Sequence, residues 1–239
     1  MNRLVLSKLL ALAVGLACVF FAFKYNKNAL YETSDSIYGT YWKLVSTEYI
    51  PDSLIQSIKQ ELNRIDYVAS NYKPSSELSI INAAPINTEI GISSDMYTIL
   101  KFAEDLHQLS NGYYDVTIGS LIIKEGFGPE SSMVDNAIPV SKKRFNFLNN
   151  NSITKNDNFQ FDLSSIAKGY ALDSISNLLM KANRNNYLID IGGEIIVNGS
   201  KHGEPWTVGI QSPSAVNNQS DTQIRSNKFL AVATSGEYR

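Results

Sequence analysis

Apolar positions fall into three kinds of run along the chain. Residues 9–23, LLALAVGLACVFFAF, are wholly apolar, with Arg3 and Lys8 before them and Lys24 and Lys27 after. Basic flanks around such a core are the pattern of an export signal or signal anchor. A spanning helix needs about 20 apolar residues. This run is shorter, although Leu4, Leu6 and a snorkelling Lys8 extend it. Residues 1–24 are therefore read as signal peptide or membrane anchor, residues 25–36 as a polar tether, and residues 37–239 as one folded domain.

The second kind of run has helical spacing. Leu54, Ile58, Leu62 and Ile65 recur after Asp52, a candidate N-cap, and the run stops before NYKPSS at 71–76. Met96, Ile99, Leu100, Ala103 and Leu106 mark a second helix starting after Ser94, with Gly112 as its stop. Ile166, Tyr170, Ile175, Leu178 and Leu179 mark a third over residues 165–183.

The third kind is rich in β-branched and aromatic residues. IYGTYWKLVST at 37–47, WTVGIQ at 206–211 and FLAVATS at 229–235 predict strands. YLIDIGGEIIV at 187–197 predicts a strand interrupted at Gly192-Gly193 by a bulge or a close backbone approach. Residues 113–129 break into strand-like and glycine-turn pieces, and 130–160 is polar and Asn-rich, with a short strand or helix near 140–148. Strands and helices alternate without strict βαβ order, so the fold class is α+β with mixed or antiparallel sheets.

A net charge of −2 gives no basic field for nucleic acid. Cys18 is the single cysteine, so no intrachain disulfide forms. It follows Gly15-Leu16-Ala17, a lipoprotein-like box with an unusual first position and an apolar continuation, which leaves an uncleaved anchor, a lipidated Cys18 and an inert thiol as alternatives. His107 and His202 are far apart, and no zinc spacing, phosphate loop, dinucleotide fingerprint or nucleophile elbow occurs.

Among the motifs, DLSSIAKGYALD at 162–173 is the one with chemical promise. Ser164 and Ser165 precede an amphipathic run, and Gly169 inside it costs about 1 kcal/mol relative to alanine. On one reading a serine caps the helix and Asp173 is a solvated helix residue. On the other, free N–H groups at the helix start, with Lys168 as a point charge and Gly169 allowing close approach, suit a phosphate or pyrophosphate.

DLSSIAKGYALD is followed by YLIDIGGEIIVNG, PWTVGIQSP and AVATSGEYR, and preceded by YGTYWKL at 38–44, NYKPSSELSIIN at 71–82 and GYYDVTIGSLIIKEGFGP at 112–129. In this order the segments resemble the FAD:protein FMN transferase family, the ApbE-type flavin transferases once described as thiamine biosynthesis lipoproteins. Members bind FAD and magnesium and move the FMN half of FAD to a threonine or serine hydroxyl of a target protein, leaving AMP. The resemblance implies FAD contacts at Asp162 and Lys168, and magnesium at Ser165, where relatives often have alanine and only the carbonyl is offered. Tyr38 stands where the family's M-G-T motif has methionine, so its ring either stacks on the flavin or crowds it. Tyr72, Tyr113, Tyr114 and Asp115 match further cofactor-contacting positions; core and rim packing is the alternative for the tyrosines.

The implied reaction is attack of the target hydroxyl on the phosphorus adjoining riboflavin, in line with departing AMP, with magnesium on the pyrophosphate. Magnesium prefers oxygen ligands. In relatives the carboxylates come from a later D-A-x-A-T-type segment, and this sequence stops at TSGEYR before that point. The expectation is therefore a C-terminally truncated chain, weak or inactive alone. The implied partners are FAD and membrane redox-complex subunits carrying the acceptor hydroxyl, at the periplasmic face of a bacterial inner membrane. The alternatives are an FAD pyrophosphatase yielding FMN and AMP, and a non-catalytic flavin-binding lipoprotein. Neither histidine matches a family catalytic position, and both read as surface residues.

Overall fold

The computed structural model describes residues 3–26, 29–129, 144–211 and 220–234. The 130–143 part of the polar stretch and the sequence after Thr234, including most of AVATSGEYR, lie outside them. In chain order the elements are α1 (Arg3–Asn26), β1 (Tyr31–Ile37), β2 (Thr40–Ser46), α2 (Asp52–Ala69), α3 (Glu77–Ala83), β3 (Glu89–Gly91), α4 (Ser94–Leu109), α5 (Gly119–Lys124), β4 (Phe145–Asn149), β5 (Ser152–Lys155), α6 (Ser164–Lys181), β6 (Tyr187–Ile191), β7 (Glu194–Asn198), β8 (Trp206–Gln211), β9 (Ser220–Ser226) and β10 (Leu230–Val232).

Among the described residues all the strand pairs are antiparallel. A five-stranded sheet runs β1-β2-β6-β7-β10, a three-stranded sheet runs β3-β5-β4, and β8 pairs with β9. The α+β expectation holds. α1's apolar side chains, Leu10, Leu12, Val14, Leu16, Val19, Phe20 and Phe21 among them, are exposed. Among the described residues no helix is long and apolar enough to cross a membrane.

Two cores meet at α6. One joins α3, α4, the three-stranded sheet and the segment Phe159–Leu163 with Ile166 of α6. The other joins α2, β2, β6 and β7 with Ala171, Leu172, Ile175 and Leu179 of α6, and Tyr170 touches both cores. Each fully buried Leu or Ile side chain contributes about 1.5–3 kcal/mol. The first turns of α6 are thus clamped from one side and the rest from another. A third, smaller cluster of Val197, Trp206 and Val208 covers the opposite face of the five-stranded sheet.

Several local expectations change. Pro51, not Asp52, is the N-cap of α2, and Asp52 sits in its first turn, where a carboxylate suits the dipole. Residues 31–36, expected as tether, belong to strand β1, a mostly exposed edge strand whose polar side chains hid it while its backbone pairs with β2. The strand expected over 37–47 contains the hairpin turn Tyr38-Gly39, with positive φ at both. Residues 113–129 form no strand, because Asp115 Oδ1 accepts from Thr117 N–H and Oγ1 at 2.8 and 2.7 Å, closing a turn that leads into α5. Gly192 (φ +56°) and Gly193 (φ +93°) form the two-residue turn of the β6–β7 hairpin, not a bulge. The close approach is also real, since a Cβ on Gly192 would lie 2.7 Å from Thr40 Cγ2.

Candidate functional site

Three segments converge on the first turn of α6. Asp162 precedes the helix, and its Oδ1 accepts from Ser164 N–H at 3.0 Å and from Ser164 Oγ. Its Oδ2 accepts from Asn71 Nδ2 at 2.6 Å, which ties the α2–α3 loop to this point. The Tyr114 hydroxyl lies 3.0 Å from Ser165 Oγ. Burial pushes the Tyr114 phenol up, so it stays a neutral donor and acceptor at neutral pH.

Neither serine caps α6 from the N-cap position, which is Leu163. The N–H groups of Ile166 and Ala167 donate to Leu163 O, and that of Ser164 to Asp162. The helix start is therefore not an open anion cradle. Asp162 already places negative charge at the positive end of the dipole, and a phosphate lying there would face a carboxylate.

One turn later the polarity reverses. Lys168 Nζ lies 2.9 Å from Glu194 Oε1, at the start of β7, with side chains 30% and 15% exposed. Gly169 lies on the same side. A Cβ built there would meet only Glu194 Oε2, at 3.9 Å, so no protein atom demands glycine at this position. The turn beside Glu194 is rigid: Gly193 N–H donates to Asp190 Oδ1 at 2.8 Å, and the Tyr41 hydroxyl donates to Asp190 Oδ2 at 2.9 Å.

Of the expected site residues, Asp162, Ser165 and Tyr114 come together, with Lys168 one turn along. Tyr72 follows Asn71 in the same loop and is 70% exposed. Tyr113 is 96% exposed, so packing does not account for it. Asp115 points elsewhere: it lines a cavity of about 240 Å³ together with Ala103, Glu104, His107 and Arg144. Tyr38 is half-buried at the β1–β2 turn, and its hydroxyl donates to Leu62 O of α2 at 2.9 Å. Burial, then the charges of Asp66 and Glu61, raise its pKa.

Sequence reasoning missed Asn71, Glu194 and His107. Asn71 and Glu194 lie inside the quoted segments NYKPSSELSIIN and YLIDIGGEIIVNG, which was the only signal for them. Asn71 Oδ1 is buried and has no hydrogen-bond partner. His107 is not a free surface residue: its Nδ1 lies 2.7 Å from Tyr114 O. His202 is exposed, as expected.

The residues around Ser165 do not fit magnesium as a complete site. The available donors are oxygens, which suit a hard cation. Yet Asp162 is the carboxylate here and both its oxygens are engaged, and among the described residues no three His, Cys, Asp or Glu side chains are grouped to hold a metal ion.

Comparison with known proteins gives this geometry a context. The chain is 32% identical over 199 residues to a Haemophilus influenzae protein named FAD:protein FMN transferase, covering 77% of this chain and 58% of that protein. It is 32% identical over 211 residues to a Vibrio cholerae protein of the same name, covering 82% and 62%. The chain thus spans about three-fifths of these relatives' length. Among solved structures it superposes on the flavin transferase ApbE from Vibrio cholerae with a TM-score of 0.76 at 29% identity, covering 88% of this chain and 72% of that one. It superposes on the ApbE protein from Thermotoga maritima with a TM-score of 0.74 at 26% identity, covering 88% and 71%. The ApbE family model matches residues 38–239. The α6 motif, the GG hairpin and the Tyr114 segment all fall within that match, and the chain belongs to the ApbE family.

Proposed function

We propose that this chain carries the FAD site of a flavin transferase, and that its first two turns of α6 hold the dinucleotide. The observation that carries this reading is the split polarity of those turns. Asp162, Ser165 and the Tyr114 hydroxyl offer hydrogen-bonding groups at the helix start, and Lys168 offers a cation one turn on. Hydrogen-bonding groups of the flavin or adenine suit the first set, and the pyrophosphate suits Lys168. Beside Gly169 the nearest atom is Glu194 Oε2, 3.9 Å from where a Cβ would stand, so a pyrophosphate reaching Lys168 takes the place of Glu194.

In the reaction, the oxygen of a threonine or serine hydroxyl bonds to the phosphorus on the riboflavin side. The pyrophosphate P–O bond breaks, AMP leaves with its electron pair, and the hydroxyl proton is released. Lys168 lowers the charge on the pyrophosphate while Tyr114 and Asp162 fix the dinucleotide's orientation. Magnesium belongs to this reading only by the family resemblance.

The apolar side chains exposed all round α1 support a second element of the proposal: α1 contacts lipid and holds the domain on the exported side, beside membrane redox proteins as acceptors. Flotation with lipid vesicles, lost on removal of residues 1–28, is the expected behaviour.

The function is tested by incubating the chain with FAD, magnesium and a threonine-containing acceptor peptide. An acceptor mass increase equal to esterified FMN, with AMP released, assigns the transferase at any rate, including the weak one expected above. FAD hydrolysed without acceptor labelling would assign a pyrophosphatase instead, and bound FAD surviving intact would assign a flavin-binding protein. A chain with no FAD affinity overturns all three.

A further inference from the structure

We infer that His107 is the positioning residue that sets Tyr114 against the first turn of α6. It lies in the last turn of α4, and its ring Nδ1 is 2.7 Å from the backbone carbonyl oxygen of Tyr114. A carbonyl only accepts, so Nδ1 carries the hydrogen and Nε2 the lone pair of the neutral ring. The Tyr114 N–H is held as well, donating to Ser110 Oγ at 2.8 Å, and Ser110 Oγ in turn donates to His107 O at 3.2 Å. Gly112 N–H donates to His107 O at 2.8 Å, and positive φ at Asn111 and Gly112 folds the chain back over the imidazole.

Both backbone polar groups of Tyr114 are thereby tied to the end of α4, each by a side chain. With its backbone fixed at both ends, the Tyr114 ring projects to Ser165, where the hydroxyls meet at 3.0 Å. His107 meets Tyr114 through the backbone carbonyl and lines a cavity with Asp115, so its part is to aim Tyr114 rather than to contact the dinucleotide itself. A flexible loop carrying Tyr114 would lose orientational entropy on binding, and the His107 clasp removes that cost in advance. The inference rests on the flavin reading of the α6 site.

The test is a double-mutant cycle on FAD affinity, read by quenching of flavin fluorescence in the full chain. His107→Leu removes the donor, whereas His107→Asn keeps an N–H near the Nδ1 position. We expect His107→Leu to weaken FAD binding roughly fivefold to tenfold, in line with loss of one hydrogen bond, and His107→Asn to restore most of it. In a Tyr114→Ala background most of the His107→Leu effect should vanish, because the ring that His107 aims is gone. Equal effects of His107→Leu in both backgrounds, or no effect in either, overturn the positioning role and leave the flavin reading standing. Absence of FAD affinity in the wild type overturns both. Nitrogen NMR of wild-type His107 needs no variant: the Nδ1–H tautomer is expected, and the Nε2–H tautomer overturns the inference even if His107→Leu fails to fold.

Discussion

Lys168 Nζ and Glu194 Oε1 are 2.9 Å apart, which ties the second turn of α6 to the first residue of β7. The pair is partly exposed, so its worth to stability is about 0–1 kcal/mol. On the proposed reading that ammonium also meets the pyrophosphate, in exchange for Glu194. Lys168→Met should lower FAD affinity about tenfold, equivalent to about 1.4 kcal/mol, with a urea midpoint close to wild type. A large stability loss with unchanged affinity would make the pair structural.

Asp162 holds the start of α6 and the Asn71 loop at once. Asp162→Ala removes the acceptor of Ser164 N–H and the favourable charge at the helix start, at about 1–2 kcal/mol. It also orphans Asn71 Nδ2. Thermal melting should show the loss and FAD titration should show weaker binding; an unchanged melting temperature would contradict the capping role.

Gly119 sits where the chain crosses the segment leading to Asp162. Its N–H donates to Gln160 O at 2.9 Å, and an added Cβ would lie 2.7 Å from Gln160 O and 2.9 Å from Phe161 O. These are backbone atoms that cannot step aside. Gly119→Ala should therefore destabilise by about 2–3 kcal/mol, measured by urea unfolding, whereas Gly126→Ala, with no atom within 4 Å of the added Cβ, should cost only the strain of its positive φ.

Lys155 is 1% exposed and its Nζ donates to the carbonyls of Asn82 and Ala84 at 2.8 and 3.1 Å, with Ile81 O at 3.4 Å. It thus satisfies the C-terminal carbonyls of α3. Lys155→Met leaves them unpaired and should cost about 2–3 kcal/mol. Burial pushes the Lys155 ammonium below the usual lysine range. The native state then sheds this proton at lower pH than the unfolded chain, so it binds fewer protons in the window between the two pKa values. Stability contributed by Lys155 rises with pH through that window. The wild type's advantage over Lys155→Met should grow toward pH 10; a shrinking advantage would reverse the assignment.

The helices α2 and α4 were legible because each buries one apolar stripe, which period alone marks, whereas α6, facing two cores, was legible from the apolar residues spaced along it. The strands facing helices, β2 and β6, were legible for the same reason. Edge strands β1 and β9 were not, since their order comes from backbone pairing while their side chains stay polar and exposed. Around the site, Asp162, Lys168 and the Tyr114 segment were named from motifs. Their partners Asn71, Glu194 and His107 lie 91, 26 and 7 residues away in sequence, a separation only folding closes.

The sequence by itself determined the α+β class, the family and the chain segments that carry the site, because hydrophobic period and ordered motifs are local properties. Only the tertiary structure decided that the α6 start is already filled by Asp162, that Lys168 faces Glu194, and that Asp115 turns to a cavity while Tyr114 turns to Ser165. Those outcomes depend on which acceptor lies within about 3 Å of each donor. That is set by how the two cores clamp α6 from different sides.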